Sequence, residues 1–355
     1  SLIEASIALG AKPAEPGEFS KRAFLNGKMD LVQAEAVADI IDANSEQASR
    51  SALRSLSGVF SKQVNALTQS IINLRIFVEA TIDFSDEEID FLQSEQVQVK
   101  TQAIKAEIQQ ILHAATQGAI LREGLNVAIA GKPNAGKSSL LNALTQRSSA
   151  IVTDIAGTTR DVLRETIHIN GMPLNIIDTA GLHESEDVVE KEGIKRARDA
   201  IAQADVVLLM YDAQDQSPDF SILPGAIDAK KLLIIKNKID LTGEAVERQV
   251  EQNKTQLSIC TKDIQGIDLL RQELADMAGF DSGAEGVVLA RKRHIIALEE
   301  SLNSIDNALI QLDGGAIELM AEDLRHAGQA MASITGEFSS DDLLGEIFSS
   351  FCIGK

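Results

Sequence analysis

Eight consecutive residues carry the densest chemistry in the chain: Gly131-Lys132-Pro133-Asn134-Ala135-Gly136-Lys137-Ser138. Glycines at such positions let backbone N–H groups wrap a row of phosphates, the Lys137 ammonium can reach the β/γ-phosphates, and the Ser138 hydroxyl can hold Mg²⁺. Asn134, Ala135, Gly136, Lys137, Ser138 and Ser139 are the residues expected around that phosphate row. Asp178-Thr179-Ala180-Gly181 follows a second apolar run, where a carboxylate can hold a metal-bound water beside a γ-phosphate and the Gly181 N–H can sense it. An aspartate there can equally cap a helix; its place downstream of the phosphate loop favours the metal role. Third comes Asn237-Lys238-Ile239-Asp240. A fixed Asp240 carboxylate can accept from both N1–H and the exocyclic amine of guanine, where adenine offers a bare N1 acceptor, so the motif selects GTP over ATP. Between the first two motifs, Thr153–Asp161 contains Gly157-Thr158-Thr159-Arg160-Asp161, a polar loop able to close over γ-phosphate and Mg²⁺. Thr159 is the expected metal-contacting hydroxyl, with Thr158 as the alternative.

These motifs converge only if each ends a strand of one sheet. Leu125–Ala130, Leu174–Ile177, Val206–Tyr211 and Leu232–Lys236 are short apolar runs of the kind buried on both faces of a parallel sheet. Val162–Ile169 alternates instead and reaches Asn170-Gly171, a turn pair that predicts a hairpin and an antiparallel edge strand. On either side the pattern is helical. No proline lies between Pro16 and Pro133 or after Pro224, and Leu53, Leu56, Phe60, Val64, Leu67, Ile71, Leu74 and Val78 recur at helical spacing on one face. Ile295, Leu298, Leu302, Ile305 and Leu309 continue the theme near the end. The expectation is an α/β P-loop GTPase domain with a mixed, mostly parallel sheet, residues 124–281, inserted into an all-α domain of residues 31–123 and 282–355. Two separate helical domains are the other arrangement this pattern allows.

Composition narrows the class. A net charge of −20 argues against a general nucleic-acid coat, since phosphate attraction demands clustered Lys and Arg; Arg291-Lys292-Arg293 is one small candidate patch. The longest apolar runs are strand-sized, whereas a membrane span needs roughly 20 apolar residues. The two cysteines, Cys260 and Cys352, offer neither a disulfide framework nor metal-ligand spacing, and no secretory signal opens the chain, so a cytoplasmic setting is expected.

On Glu18–Lys28, the phosphate loop, Thr153–Asp161, Asp178–Leu182, Asn237–Asp240 and the terminal Phe351-Cys352-Ile353-Gly354-Lys355, the chain resembles the tRNA-modification GTPases of the MnmE (TrmE) family. That resemblance implies GTP and GDP as ligands, and an N-terminal domain that binds 5,10-methylenetetrahydrofolate and dimerises, of which residues 1–30 would be the remnant. It implies a flavoprotein partner, MnmG, with which the family modifies C5 of the wobble uridine of certain tRNAs, adding aminomethyl or carboxymethylaminomethyl groups. It also implies activation by K⁺, held by Asn134 with the loop residues Thr153, Ile155 and Thr158, supplying positive charge where other GTPases use an arginine finger. Ser138, Thr159 and Asp178 would hold Mg²⁺, Thr261 would contribute a backbone N–H to guanine, and Lys137, Thr159 and Glu190 would serve catalysis, Glu190 by positioning water. Leu182 stands where many GTPases carry a water-orienting glutamine and cannot do that work. Cys352 matches the family's C-terminal cysteine, near the folate and tRNA chemistry.

Departures from the family pattern matter as well. Cys260-Thr261-Lys262 replaces the usual Ser-Ala-Lys or Ser-Ala-Arg, Glu15 stands where arginine is general, and His183 where some members carry arginine. A ribosome-assembly-type GTPase switch is the alternative reading, which a basic RNA-binding domain would favour.

Overall fold

The computed structural model describes residues 2–43, 46–83, 92–145, 164–169, 171–178, 201–225, 227–251, 253–280 and 287–337. It divides into two compact units, Ser1–Arg122 with Ala284–Lys355, and Glu123–Gly283. In chain order the α-helices are α1 (Leu2–Ala8), α2 (Glu18–Leu25), α3 (Leu31–Asp42), α4 (Glu46–Leu56), α5 (Val59–Asp83), α6 (Leu92–Glu123), α7 (Lys137–Thr145), α8 (Ile267–Ala278), α9 (Lys292–Asp313) and α10 (Ile317–Thr335). The strands are β1 (Leu125–Gly131), β2 (Arg164–Ile169), β3 (Met172–Asp178), β4 (Val206–Asp212), β5 (Leu232–Asn237), β6 (Glu247–Glu251) and β7 (Lys254–Ser258).

The first unit is helical. Its core collects Phe60, Val64, Leu67 and Ile71 of α5, Ile104 and Ile108 of α6, Leu298 and Ile305 of α9, and Leu324 and Met331 of α10. Apolar residues three and four apart give each helix one buried stripe, and stripes of neighbouring helices cover one another. Asp30 starts α3 with a capping box: its carboxylate accepts from Gln33 N–H while the Gln33 side chain accepts from Asp30 N–H. The single helical face expected from Leu53 through Val78 is in fact two helices. Gly58 adopts φ 78°, and Gln33 donates to the Leu56 carbonyl at the break, so α4 ends and α5 begins there and Leu53 is left exposed.

Charge fixes one end of this unit. Arg293 grips both oxygens of the buried Glu35 at 2.8 Å and also donates to the Ser333 and Ile334 carbonyls at the end of α10. Arg291 and Arg122 both donate to Asp39, at 3.0 and 2.9 Å. His294, buried at the start of α9, accepts from Arg291 N–H through Nδ1 and stacks obliquely on Phe60. Its Nε2 lies 3.0 Å from Glu35 Oε2, close enough for electrostatic coupling but without hydrogen-bond alignment. Burial alone pushes the Glu35 carboxyl up; His294 and then Arg293 overcome it and hold the group well below the usual carboxylate range. The Arg291-Lys292-Arg293 patch is therefore not a free cationic surface, because two of its three side chains are turned onto carboxylates of α3.

The second unit holds a seven-stranded sheet in the order β2-β3-β1-β4-β5-β7-β6. β3, β1, β4, β5 and β7 run parallel, while β2 and β6 pair antiparallel at the two edges. β1 and β4 are buried almost throughout, as their apolar runs require, and Gly171 turns the β2–β3 hairpin at φ 87°. The sheet is thus the mixed, mostly parallel one expected, extended by a β6–β7 hairpin that hydrophobic patterning did not reveal: every residue of β6 is exposed. Among the described residues, no helix is long and apolar enough to cross a membrane.

Candidate functional site

The phosphate-loop motif occupies the turn from β1 into α7, so the N-terminal N–H groups of a helix face the loop, with the partial positive charge of the helix behind them. Two glycines are needed for contact as much as for conformation. A Cβ on Gly131 would come within 2.5 Å of the Met210 carbonyl oxygen, and a Cβ on Gly136, whose φ is 99°, would meet Asn237 Nδ2 at 2.2 Å. Asn134 also takes a left-handed φ of 63°, a conformation asparagine tolerates better than most residues. Asn134, Ser138 and Ser139 are exposed and Ala135 is buried. Lys137 folds back over the loop, its ammonium donating to the Gly131 and Lys132 carbonyls at 2.7 and 3.0 Å. Asp178 ends β3 in register with Ile129 of β1, which puts its backbone beside the strand that feeds the loop.

Asn237 joins this loop to the base-reading motif. Fully buried at the end of β5, it donates through Nδ2 to the Ala135 carbonyl at 2.9 Å and accepts from Thr261 N–H through Oδ1 at 3.1 Å. One neutral amide thereby satisfies both ends of its hydrogen-bonding capacity and locks three segments of chain together. The Thr261 N–H, expected to serve guanine, is engaged by this side chain. Lys238, at φ 65°, pairs with Asp212 at the end of β4 at 2.7 Å. Burial raises the Asp212 carboxyl, but the Gln214 N–H and Lys238 outweigh it and keep the group below its ordinary range. Asp240 is exposed on the following turn and accepts from the Cys260 thiol at 3.1 Å. Asp212, paired with Lys238, is a residue that motif reading passed over, the aspartate after the Val206–Tyr211 run being the available signal; Cys260 stands in the segment that departs from Ser-Ala-Lys.

The structure brings Ala135, Gly136, Lys137, Asn237 and Thr261 into one connected cradle, with Cys260 and Asp240 continuing it. Thr153, Ile155, Thr158, Thr159, Gly181, Glu190 and Cys352 lie outside the described residues. A backbone cradle in which two Cβ positions are closed off, an exposed hydroxyl at Ser138 on the first turn of a helix, and a lysine at the loop fit a nucleotide polyphosphate accompanied by a divalent cation.

A family model described as the MnmE helical domain matches residues 31–352. Proteins named tRNA modification GTPase MnmE align along the whole chain. That of Ruthia magnifica subsp. Calyptogena magnifica is 73% identical over 354 residues, covering 100% of this chain and 79% of the relative. That of Vesicomyosocius okutanii subsp. Calyptogena okutanii is 70% identical over 354 residues with the same coverage. A third, from Ectopseudomonas mendocina, is 54% identical over 362 residues and covers 100% of this chain and 80% of its own.

Proposed function

This chain belongs to the MnmE family of tRNA modification GTPases, and from that premise we propose that it is a K⁺-activated GTPase working with a flavoprotein partner on the wobble uridine of tRNA. It is a GTP-hydrolysing enzyme of tRNA modification. The observation that supports guanine-nucleotide turnover here is the cradle itself, in which Asn237 couples the phosphate loop to the guanine-reading segment; the cation, partner and tRNA roles rest on the family.

In this reading the loop N–H groups and Lys137 bind and orient the phosphates, and Asp240 reads N1–H and the exocyclic amine of guanine. Ser138, Thr159 and Asp178 would hold Mg²⁺, and Asn134 with Thr153, Ile155 and Thr158 would hold K⁺. Bound there, the two cations would supply positive charge against the negative charge that develops on the phosphoryl oxygens. Glu190 positions the attacking water, a task Leu182 lacks the polarity to perform. The partner is MnmG, the product a C5-modified wobble uridine, and the working form a homodimer. A folate cofactor and Cys352 belong to the tRNA chemistry, and the α/β domain of residues 124–281 is the inserted switch.

The test compares GTP hydrolysis in K⁺ and Na⁺ at equal ionic strength, with Glu190→Ala alongside. Turnover at least about tenfold faster in K⁺, and a comparable loss in Glu190→Ala, are expected for charge stabilisation and water positioning. Equal rates in the two salts would remove the cation mechanism; an unaffected Glu190→Ala would return that side chain to an ordinary surface role.

A further inference from the structure

Resting on the reading that residues 124–281 form a GTP-driven switch, we propose that Asp39 is the residue through which that switch acts on the helices: one oxygen of its carboxylate holds both Arg122, where the chain leaves the helical unit, and Arg291, where α9 begins after the return.

The input side is short. β1 ends in the phosphate loop at Gly131, and only Glu123 and Gly124 separate its first residue, Leu125, from Arg122. Those two residues are fitted closely to β3. Asn175 donates to the Glu123 carbonyl at 2.8 Å, and a Cβ on Gly124 would come within 2.8 Å of the Pro173 carbonyl oxygen. Arg122, the last residue but one of α6, then donates through Nε to Asp39 Oδ1 at 2.9 Å. Arg291, at the N-cap of α9, donates through Nη2 to the same oxygen at 3.0 Å and reaches the Glu35 carbonyl at 3.4 Å. The two arginines lie 83 and 252 residues from Asp39 along the chain, so nothing local brings them onto one oxygen.

From Asp39 the tie continues along α3. Glu35 lies one turn earlier on the same face of that helix, and Arg293 grips both its oxygens. The same guanidinium donates to the Ser333 and Ile334 carbonyls, at 3.2 and 3.0 Å, in the last turn of α10. Two carboxylates four residues apart thus join the end of α6, the start of α9 and the end of α10. Both carboxylates are buried, where giving up a partner is costly, so α3 follows a displacement of Arg122 instead of letting the pair open. Packed ion-pair networks with discrete arrangements are the kind that carry coupling between distant sites. In this chain a change at the phosphate-loop end of β1 arrives at Arg122; Asp39 passes it to α3 and to Arg291, and Glu35 with Arg293 passes it to the end of α10.

Hydrogen exchange of the full chain, followed by mass spectrometry, tests the relay with GDP alone and with GDP plus aluminium fluoride in K⁺, which mimics the transferring phosphoryl group. In the wild type, amides of α3 and of the last turn of α10 are expected to differ in exchange rate by at least about fivefold between the two states, the lower end of ordinary coupling between sites. Arg122→Gln is expected to bring that ratio below about twofold while GDP affinity also stays within about twofold, since the cradle is untouched. Asp39→Asn, which removes the charge both arginines share, is expected to lose the ratio in the same way, and Arg122→Lys, which keeps the cation, to retain part of it. An unchanged ratio in Arg122→Gln would overturn the proposal whatever happens to stability, because a merely structural tie loosens both states alike. So would a wild type in which α7 is protected by nucleotide but α3 and α10 exchange alike in the two states. Exchange in α7 tests the underlying reading separately: no protection there on adding either nucleotide would overturn the GTP switch itself.

Discussion

At the nucleotide cradle, one neutral amide ties distant loops together, whereas at the root of the helical unit three guanidinium groups and two carboxylates perform the same task. Both arrangements satisfy buried polar groups and both join segments far apart in sequence. They differ in what they leave available. Asn237, closed-off glycine positions and backbone carbonyls hold the cradle together by shape and neutral hydrogen bonds. In the helical unit, Glu35 and Asp39 are buried against arginines instead. A buried ion pair is intolerant of losing one member, since the survivor is left as an uncompensated charge; a shape-built loop is intolerant of added volume.

The comparison breaks in different places under different substitutions. Arg293→Ala leaves Glu35 buried beside only His294 and the more distant Arg291, and the helical unit is expected to lose about 3–5 kcal/mol, read as a fall in the urea midpoint by circular dichroism. GDP affinity of the same variant should stay within about twofold, because the damage lies outside the cradle. Gly136→Ala should do the reverse. A Cβ 2.2 Å from Asn237 Nδ2, on a backbone at φ 99°, combines a clash with strain, and GDP binding by calorimetry is expected to weaken by about a hundredfold or more. Large loss of GDP affinity in Arg293→Ala, or full retention in Gly136→Ala, would show that charge and shape are not divided between the two regions in this way.

Acid sharpens the contrast by a smaller amount. Burial pushes the His294 imidazole below its ordinary value, with Glu35 pulling it partly back and the two arginines pressing it down further. As pH falls past 6.5 the unfolded chain therefore takes up a proton that the folded chain refuses, and stability declines. Below 4.5 the same sign applies to Glu35, whose folded carboxylate stays ionised while the unfolded one is protonated. Each group contributes at most about 1.4 kcal/mol per pH unit. Urea midpoints for the helical transition should fall from pH 7 to pH 5, and Glu35→Gln should flatten the branch below pH 4.5; a midpoint rising with acidity would reverse the assignment.

Much of this architecture was legible in the residues because it follows from burial. Leu125–Ala130, Val206–Tyr211 and Leu232–Lys236 are apolar on nearly every residue because these strands are buried almost throughout, and they became the central strands of the sheet. The β6 strand was illegible for the converse reason: Glu247–Glu251 faces water throughout and is specified by its hairpin with β7, not by a buried stripe. The break at Gly58 was hidden because the apolar spacing runs on across it, and only the left-handed φ and the Gln33 contact reveal the corner. At the site, the motifs identified which residues carry chemistry but not which of them touch. That Thr261 N–H is taken by Asn237, or that a thiol stands behind Asp240, depends on how loops meet in space.

Asn237 also bears on the order of events during synthesis and refolding. Its two partners lie 102 and 24 residues away along the chain, so no early, local piece of structure contains the complete cradle. Contacts of such long sequence separation carry a loop-closure cost that only the assembled sheet repays. A chain whose sheet is still incomplete therefore has no place for guanine nucleotide, and nucleotide drawn from solution stabilises the finished sheet alone. Occupancy is in that sense a certificate of maturity, issued by a single carboxamide.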